Sequence, residues 1–97
     1  MEDKITVEKL DKYFGITGSA LKKAKAGLNK EKLEDANIFL DMASRYFEDA
    51  DYFRKKEDFV LAFGALNYAH GWLDAGASIK LFLVNDNKLF TVDEEDV

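Results

Sequence analysis

The sequence of 97 residues contains no cysteine and no proline. Without cysteine there can be no disulfide framework, thiolate nucleophile or cysteine-ligated metal site. Without proline nothing interrupts helix interiors, so long continuous helices are expected. The longest stretch free of Asp, Glu, Lys and Arg spans only 15 residues, 59–73, whereas a membrane-spanning helix needs about 20 apolar residues. The sequence therefore predicts neither a disulfide-stabilised protein nor a membrane protein.

What the chain does contain is the composition of one small globular domain. Hydrophobic side chains make up 47% of the residues and aromatic ones 13%, which is more apolar surface than a disordered chain carries. A chain of this length buries roughly 65% of its unfolded surface, enough for a single core. No apolar segment follows the first four residues, so we expect no secretory signal and a cytoplasmic location.

Apolar and small residues recur at alternating spacings of three and four, which is the pattern of bundle helices. The three sets are Val7, Leu10, Phe14, Thr17, Leu21, Ala24 and Leu28; Leu33, Ala36, Leu40, Ala43, Phe47 and Ala50; and Phe59, Ala62, Leu66, Ala69 and Leu73. We expect helices near 6–28, 31–56 and 59–83. Gly15 and Gly18 cost about 1 kcal/mol each relative to alanine in the first helix, but the unbroken pattern favours continuity. The predicted fold is an all-α, up-and-down three-helix bundle.

The connection between the second and third helices is short. Asp58 is a good N-cap for a helix that begins at the next residue, which leaves about two residues for the turn and makes the two helices antiparallel neighbours. Residue numbers across this hairpin should sum to about 115. That register places Trp72 opposite Ala43 and predicts an ion pair between Asp74 and Arg45.

The third helix is apolar on almost every side. Between 59 and 82 its formal charges are Asp74 and Lys80, and a helix that is apolar all round must be buried all round. Either the C-terminal segment or a second subunit has to cover it. We expect Leu89, Phe90 or Val92 to dock on the bundle or on another copy. The chain is accordingly divided into a bundle at 1–84 and a short extended acidic tail at 85–97.

The basic segment of the chain does not have the features of a nucleic-acid surface. The net charge is −5, and the stretch 17–30 carries four lysines and no acidic residue. It also lacks arginine and aromatic residues, which would supply bidentate phosphate contacts and base stacking. We interpret it as a solvated lysine face and expect no nucleic-acid partner.

Three polar residues follow one another on a face of the third helix, at spacings of one turn. His70, Asp74 and Ser78 include the residue types of a serine hydrolase triad, but the histidine is not in the middle and Ser78 lies about 12 Å from it along the axis. His70 and Asp74 could instead present two metal ligands one turn apart, with Asp41 or Glu48 of the second helix as a third, but the paired Glu-x-x-His motifs of di-iron bundles are absent. We predict no catalytic residues, no metal and no cofactor.

A recognisable pattern occupies the second and third helices. Its residues are Tyr46, Phe47, Glu48, Asp49, Ala50, Asp51, Tyr52, Phe53, Lys56, Glu57, Asp58, Ala62, Ala65, Asn67, Tyr68, Ala69, His70, Gly71, Leu73, Asp74, Ala75 and Gly76. With them the chain resembles a small archaeal family, domain of unknown function 357. The first helix fits only by pattern. The resemblance implies an up-and-down three-helix bundle and brings no activity, because the family has none assigned.

The sequence leaves more than one function open. Few nucleophiles and bases are present, and the third helix has more apolar surface than a three-helix bundle can bury. Both observations favour a non-catalytic protein-interaction or assembly module that self-associates or binds another protein through that helix. Whether the chain is an enzyme stays open, with the balance against it. The alternatives are an RNA-associated domain similar to the helical domains of toxin–antitoxin systems, whose ribonuclease motif is absent, and a small-ligand or nucleotide binder. The candidate lining of the ligand site is Tyr46, Asp49, Tyr68, His70 and Asp74.

Overall fold

The computed structural model describes residues 6–90 and contains three α-helices within that range. They are α1, Val7–Ala26; α2, Leu33–Lys55, preceded by a 3-10 turn at Lys30–Lys32; and α3, Phe59–Ser78. The described part of the chain has no strand and is 78% helical, which confirms the all-α three-helix bundle. α1 runs without a break through both of its internal glycines, as the unbroken apolar pattern predicted.

At the starts of α1, of α3 and of the 3-10 turn before α2, a side-chain oxygen accepts a hydrogen bond from a backbone amide of the first turn. Thr6 caps α1 by accepting a hydrogen bond from the Lys9 amide at 3.1 Å. Asp58 caps α3 through the Leu61 amide at 3.2 Å, which confirms the predicted N-cap. Asn29 opens the 3-10 turn before α2 and accepts from the Glu31 amide. Each cap replaces a hydrogen bond that the first helical turn cannot make internally.

Both α2 and α3 end in the same left-handed turn, formed by residues other than glycine. Glu57 follows α2 with φ 61° and Lys80 follows α3 with φ 65°. The next residue in each case folds back onto its helix, because the Asp58 amide donates to the Phe53 carbonyl and the Leu81 amide donates to the Gly76 carbonyl. These are Schellman motifs, which stop a helix abruptly and reverse the chain.

The predicted end of α3 at residue 83 is wrong, because the helix stops at Ser78. The asparagines that suggested a later end are not where the chain turns; Lys80 is. The reversal allows Leu81 and Phe82, which are 2% and 1% exposed, to enter the core. The backbone then pairs with the loop after α1, where the Leu83 amide donates to the Gly27 carbonyl at 2.7 Å. A helix continued to residue 83 would carry both side chains away from that position.

α3 packs against both other helices, most extensively against α2. Ala43 and Ala50 of α2 are fully buried, and small side chains at a helix contact let two backbones approach closely. Tyr46 stacks on Tyr68 with ring centroids 5.2 Å apart, which fits the predicted antiparallel register. Trp72 lies edge-on against Phe39, one turn of α2 away from its predicted neighbour Ala43.

The core consists of two apolar clusters on either side of a polar layer. Thr17, only 2% exposed, is the buried polar residue of this layer, and it meets His70 of α3. One cluster contains Leu10, Phe14, Ala50, Ala62, Ala65 and Leu66. The other contains Ala20, Ala24, Ala36, Ala43, Leu73, Ala77, Leu81, Phe82 and Phe90. The C-terminal segment therefore completes the second cluster.

No helix within residues 6–90 combines the length and the apolar content that a membrane crossing requires. The cytoplasmic location stays a prediction.

Gly76 is the position at which the packing of the C-terminal segment can be tested. A Cβ there would lie 2.7 Å from Phe82 Cδ2 and closer still to the neighbouring ring carbon. We expect Gly76→Ala to lower the free energy of unfolding by about 1–3 kcal/mol through overpacking, measured by urea denaturation. Gly15→Ala is the matched control, since nothing lies within 4 Å of its Cβ, and it should stabilise α1 by up to about 1 kcal/mol. Equal effects at both positions would contradict the packing of Phe82 on α3.

Candidate functional site

His70 joins α3 to two other parts of the molecule. Its Nε2 lies 2.6 Å from the carbonyl oxygen of Leu89 in the C-terminal segment, and its Nδ1 lies 3.1 Å from the Thr17 hydroxyl of α1. A carbonyl oxygen only accepts, so Nε2 carries a proton and donates. In the neutral ring, Nδ1 then accepts from the Thr17 O–H. Both nitrogens of the imidazole are therefore used in holding the fold.

A polar groove surrounds His70 between α1 and α3. Its volume is about 420 Å³, and its lining is Tyr13, Ile16, Thr17, Leu66, Asn67, His70, Gly71, Asp74 and Lys88. Asp74 Oδ1 lies 3.9 Å from His70 Nε2. The ion pair predicted between Asp74 and Arg45 is wrong, because Arg45 pairs with Asp41 at 2.8 Å one turn away on its own helix. The arginine side chain is mostly exposed and stays in water, where it loses little hydration.

The C-terminal segment runs back along α1 and covers part of this side of the bundle. Lys23 Nζ donates to Asp86 Oδ2 at 2.6 Å, and the other oxygen of that carboxylate accepts from the Lys88 amide at 3.0 Å. Phe90 is buried and Leu89 is partly buried against the same core cluster. The predicted docking of Leu89 and Phe90 is thus found within one chain, while Val92 lies outside the described residues.

A second groove lies between α2 and α3 and is apolar. Its volume is about 520 Å³, and it is lined by Phe39, Asn67, Tyr68, Gly71, Trp72 and Ala75. None of these residues belongs to the C-terminal segment, so within residues 6–90 the segment covers the α1 side of α3 and leaves the α2 side open. The sequence predicted that α3 is buried on all sides. Within the described residues, the C-terminal segment covers only its α1 side.

The solvent-facing side of α3 carries no charged residue. We call α3 outer face the strip formed by Val60, Gly64, Asn67, Tyr68, Gly71, Ala75 and Ser78, of which Gly64 is half-buried and the others are exposed, with the exposed Leu61 at its edge. By contrast, seven of the eleven exposed residues of α1 and seven of the eleven of α2 are charged. In a chain with 34% charged residues, α3 differs from the other two helices because none of its exposed residues is charged; its one charged residue, Asp74, is half-buried beside this face.

The structure does not bring the five predicted ligand-binding residues together in one groove. Tyr46 and Tyr68 stack beside the apolar groove, whereas His70 and Asp74 lie in the polar groove. Asp49 is exposed on α2, and the five do not form one lining. Whether any of them binds a ligand stays a prediction. Within residues 6–90 no group of three His, Asp or Glu side chains is placed to hold a metal ion.

Sequence reasoning missed the partners that give His70 its role. Thr17 enters the sequence pattern only as a position in the apolar seam of α1, although a hydroxyl at a core position is itself a sign that a buried polar partner lies opposite. The other partner, the carbonyl of Leu89, is a backbone atom and carries no side-chain signal. Phe39, which walls the apolar groove against Trp72, lies outside the regular seam of α2.

These features define an all-α three-helix bundle. His70 holds its C-terminal segment by a hydrogen bond, and the exposed α3 outer face is uncharged. The chain belongs to the family described as protein of unknown function (DUF357), whose sequence profile matches residues 12–82. That match confirms the resemblance first seen in α2 and α3 and extends it into α1. No curated protein and no solved structure matches the chain.

The fastening by His70 predicts a local effect of its removal. His70→Ala deletes the hydrogen bonds to Thr17 and Leu89 and should lower the free energy of unfolding by about 1–3 kcal/mol. Because the C-terminal segment loses its anchor, trypsin should cleave after Lys88 much faster than in the wild type. Asn37→Ala, at an exposed position of α2, is the control. Unchanged cleavage at Lys88 in His70→Ala would show that the segment is held without the histidine.

We predict that the attachment of the C-terminal segment to α1 depends on pH, because Asp86 takes part in it. The hydrogen bond from Lys23, and after it the one from the Lys88 amide, hold the pKa of the Asp86 carboxyl below its ordinary value of 3.8. A lowered folded-state pKa means that the stabilisation is complete above pH 3.8 and is lost as the pH falls through the folded value. We expect cleavage near Lys88, followed with the acid-active protease pepsin at neighbouring bonds, to accelerate below that pH. Asp86→Asn should be fast at every pH tested, and an identical pH profile for both proteins would refute the role of Asp86.

Proposed function

We propose that the protein is a non-catalytic protein-interaction module and that it binds through the α3 outer face and the apolar groove beside it. The observation that carries this proposal is the exposure of an uncharged helix face in a highly charged chain. Val60 and Tyr68 on that face are 68% and 65% exposed. Contiguous apolar surface of this kind on a soluble domain is typical of a binding site.

The free energy of burial favours association at this face. Covering exposed apolar surface stabilises a complex by about 25 cal/mol per Å², and a face without charges can be buried without the desolvation cost that charged side chains impose. The outer faces of α1 and α2 lack this property, because most of their exposed residues are charged. Aromatic residues such as Tyr68 and Trp72 are also enriched among the residues that dominate binding energy.

The described geometry also supports a non-catalytic role. His70, the histidine of the chain, uses both ring nitrogens in hydrogen bonds to Thr17 and Leu89. It therefore has no nitrogen free to move a proton unless the C-terminal segment or α1 moves away. A general base must reach the proton it abstracts, and the fastening keeps this imidazole from doing so.

The proposal is tested by placing a photoreactive residue on the face in living cells. With p-benzoylphenylalanine at position 68, we expect irradiation to produce a covalent protein adduct, because the benzophenone ring would contact the bound partner. The same residue at position 19, exposed on the outer face of α1, is the matched control and should give little adduct. Equal or absent labelling at the two positions would refute binding through α3.

A second candidate is a small-ligand binder that uses the polar groove. The specific support is its volume of about 420 Å³ and its mixed lining with Asn67, Asp74 and Lys88, since ligand sites span about 300–1,000 Å³. A thermal-shift screen with magnesium ATP and with Zn²⁺ alone tests this candidate directly.

A further inference from the structure

We propose that the partner of the α3 outer face is a second copy of this chain, packed antiparallel across a two-fold axis that passes between Asn67 and Tyr68. This inference rests on the proposed function, because it names the occupant of the same face. A symmetric pair uses one surface twice, so the surface must be complementary to itself. Three properties of the α3 outer face meet that requirement: its spacing, its lack of charge and its size.

Six residues of the face are placed symmetrically about the proposed axis, and Ser78 lies beyond them. In an antiparallel pair centred between residues 67 and 68, Gly64 of one copy lies opposite Gly71 of the other, and Val60 lies opposite Ala75. Nothing lies within 4 Å of a Cβ at either glycine, so both are free to accept a second helix. The branched side chain of Val60 would meet the smaller Ala75, and the paired glycines would let the two helix backbones approach closely.

The absence of charge favours a second copy over the other possible occupants. The chain carries a net charge of −5, so two copies associate best through a face that contributes nothing to their repulsion. The parts of the chain outside the described residues do not match the face, because 91–97 contains four acidic residues and 1–5 contains three charged ones. Burying those charges against an apolar groove would cost their hydration without any opposite charge in return.

The size of the face sets the strength of the association. α3 has 20 residues and is about 30 Å long, and with the adjoining groove the face is about two helix diameters wide, or roughly 20 Å. The product is on the order of 600 Å² per copy, so the pair would bury about 1,200 Å² in total, the lower end of the range for specific interfaces. We therefore infer a reversible dimer that dissociates on dilution.

Sedimentation velocity with matched glycine variants tests the dimer. The full chain should shift from monomer to dimer between about 1 and about 500 µM. Gly71→Glu places a carboxylate in the proposed contact and should weaken dimerisation at least about a hundredfold. Gly15→Glu adds the same charge at an exposed α1 glycine that also has nothing within 4 Å of its Cβ, and it should dimerise like the wild type. Equal behaviour of the two variants would overturn the proposed surface.

Introduced thiols test the antiparallel arrangement without interference, because the chain has no cysteine of its own. The substitutions Val60→Cys and Ala75→Cys are made in separate chains. In the mixed dimer the two new thiols would face each other and form a disulfide on oxidation. Two copies of residue 60 would be about 22 Å apart along the axis, far beyond the reach of a disulfide. Cross-linking of the mixture but of neither variant alone supports the arrangement, and cross-linking of each alone would overturn it.

The outcomes separate this inference from the proposed function. A monomer at every concentration would overturn the dimer, whereas a photo-adduct from position 68 with a different protein would still support binding through α3. An adduct with twice the chain mass of 11.0 kDa would support both. Absence of any adduct together with a monomer in solution would overturn both.

Discussion

The reversal of the chain at Lys80 is the constraint on which the rest of the structure depends. With φ at 65°, this residue turns the backbone so that Leu81 and Phe82 enter the core instead of extending α3. Phe82 then fills the space beside Gly76, and the backbone pairs with residues 27–29. Each of these contacts directs the following segment toward α1. The turn thereby decides which side of α3 the chain covers with its own residues.

The hydrogen bonds of the polar layer at Thr17 and His70 hold in place the C-terminal segment that follows the turn at Lys80. A buried hydroxyl and a partly buried imidazole are costly unless each finds a hydrogen-bond partner. Here the two satisfy one another, and the remaining ring nitrogen holds the Leu89 carbonyl. No buried side-chain nitrogen or oxygen in residues 6–90 is left without a partner. The histidine therefore serves as a structural link between α1, α3 and the C-terminal segment.

An asymmetry in how α3 is covered follows from these two features and leads to function. The α1 side of the helix is partly covered by the C-terminal segment, while the α2 side presents Phe39, Tyr68 and Trp72 around an apolar groove. The outer face between them has no charge. We infer that the protein stabilises itself on one side of α3 and uses the other for association, which is consistent with a small domain that has little surface to spare.

The sequence by itself determined the number of helices, the continuity of α1, the antiparallel pairing of α2 and α3 and the Asp58 cap. These features follow from interactions between residues close in sequence and from the period of the apolar pattern. Only the tertiary structure decided where α3 ends, where Asp74 and Arg45 point, and how the candidate site residues divide between two grooves. The reason is physical: Lys80 has no intrinsic preference for a left-handed conformation, and it adopts one because burying Leu81 and Phe82 requires it. Contacts such as that of His70 with a backbone carbonyl 19 residues away leave no pattern in the sequence.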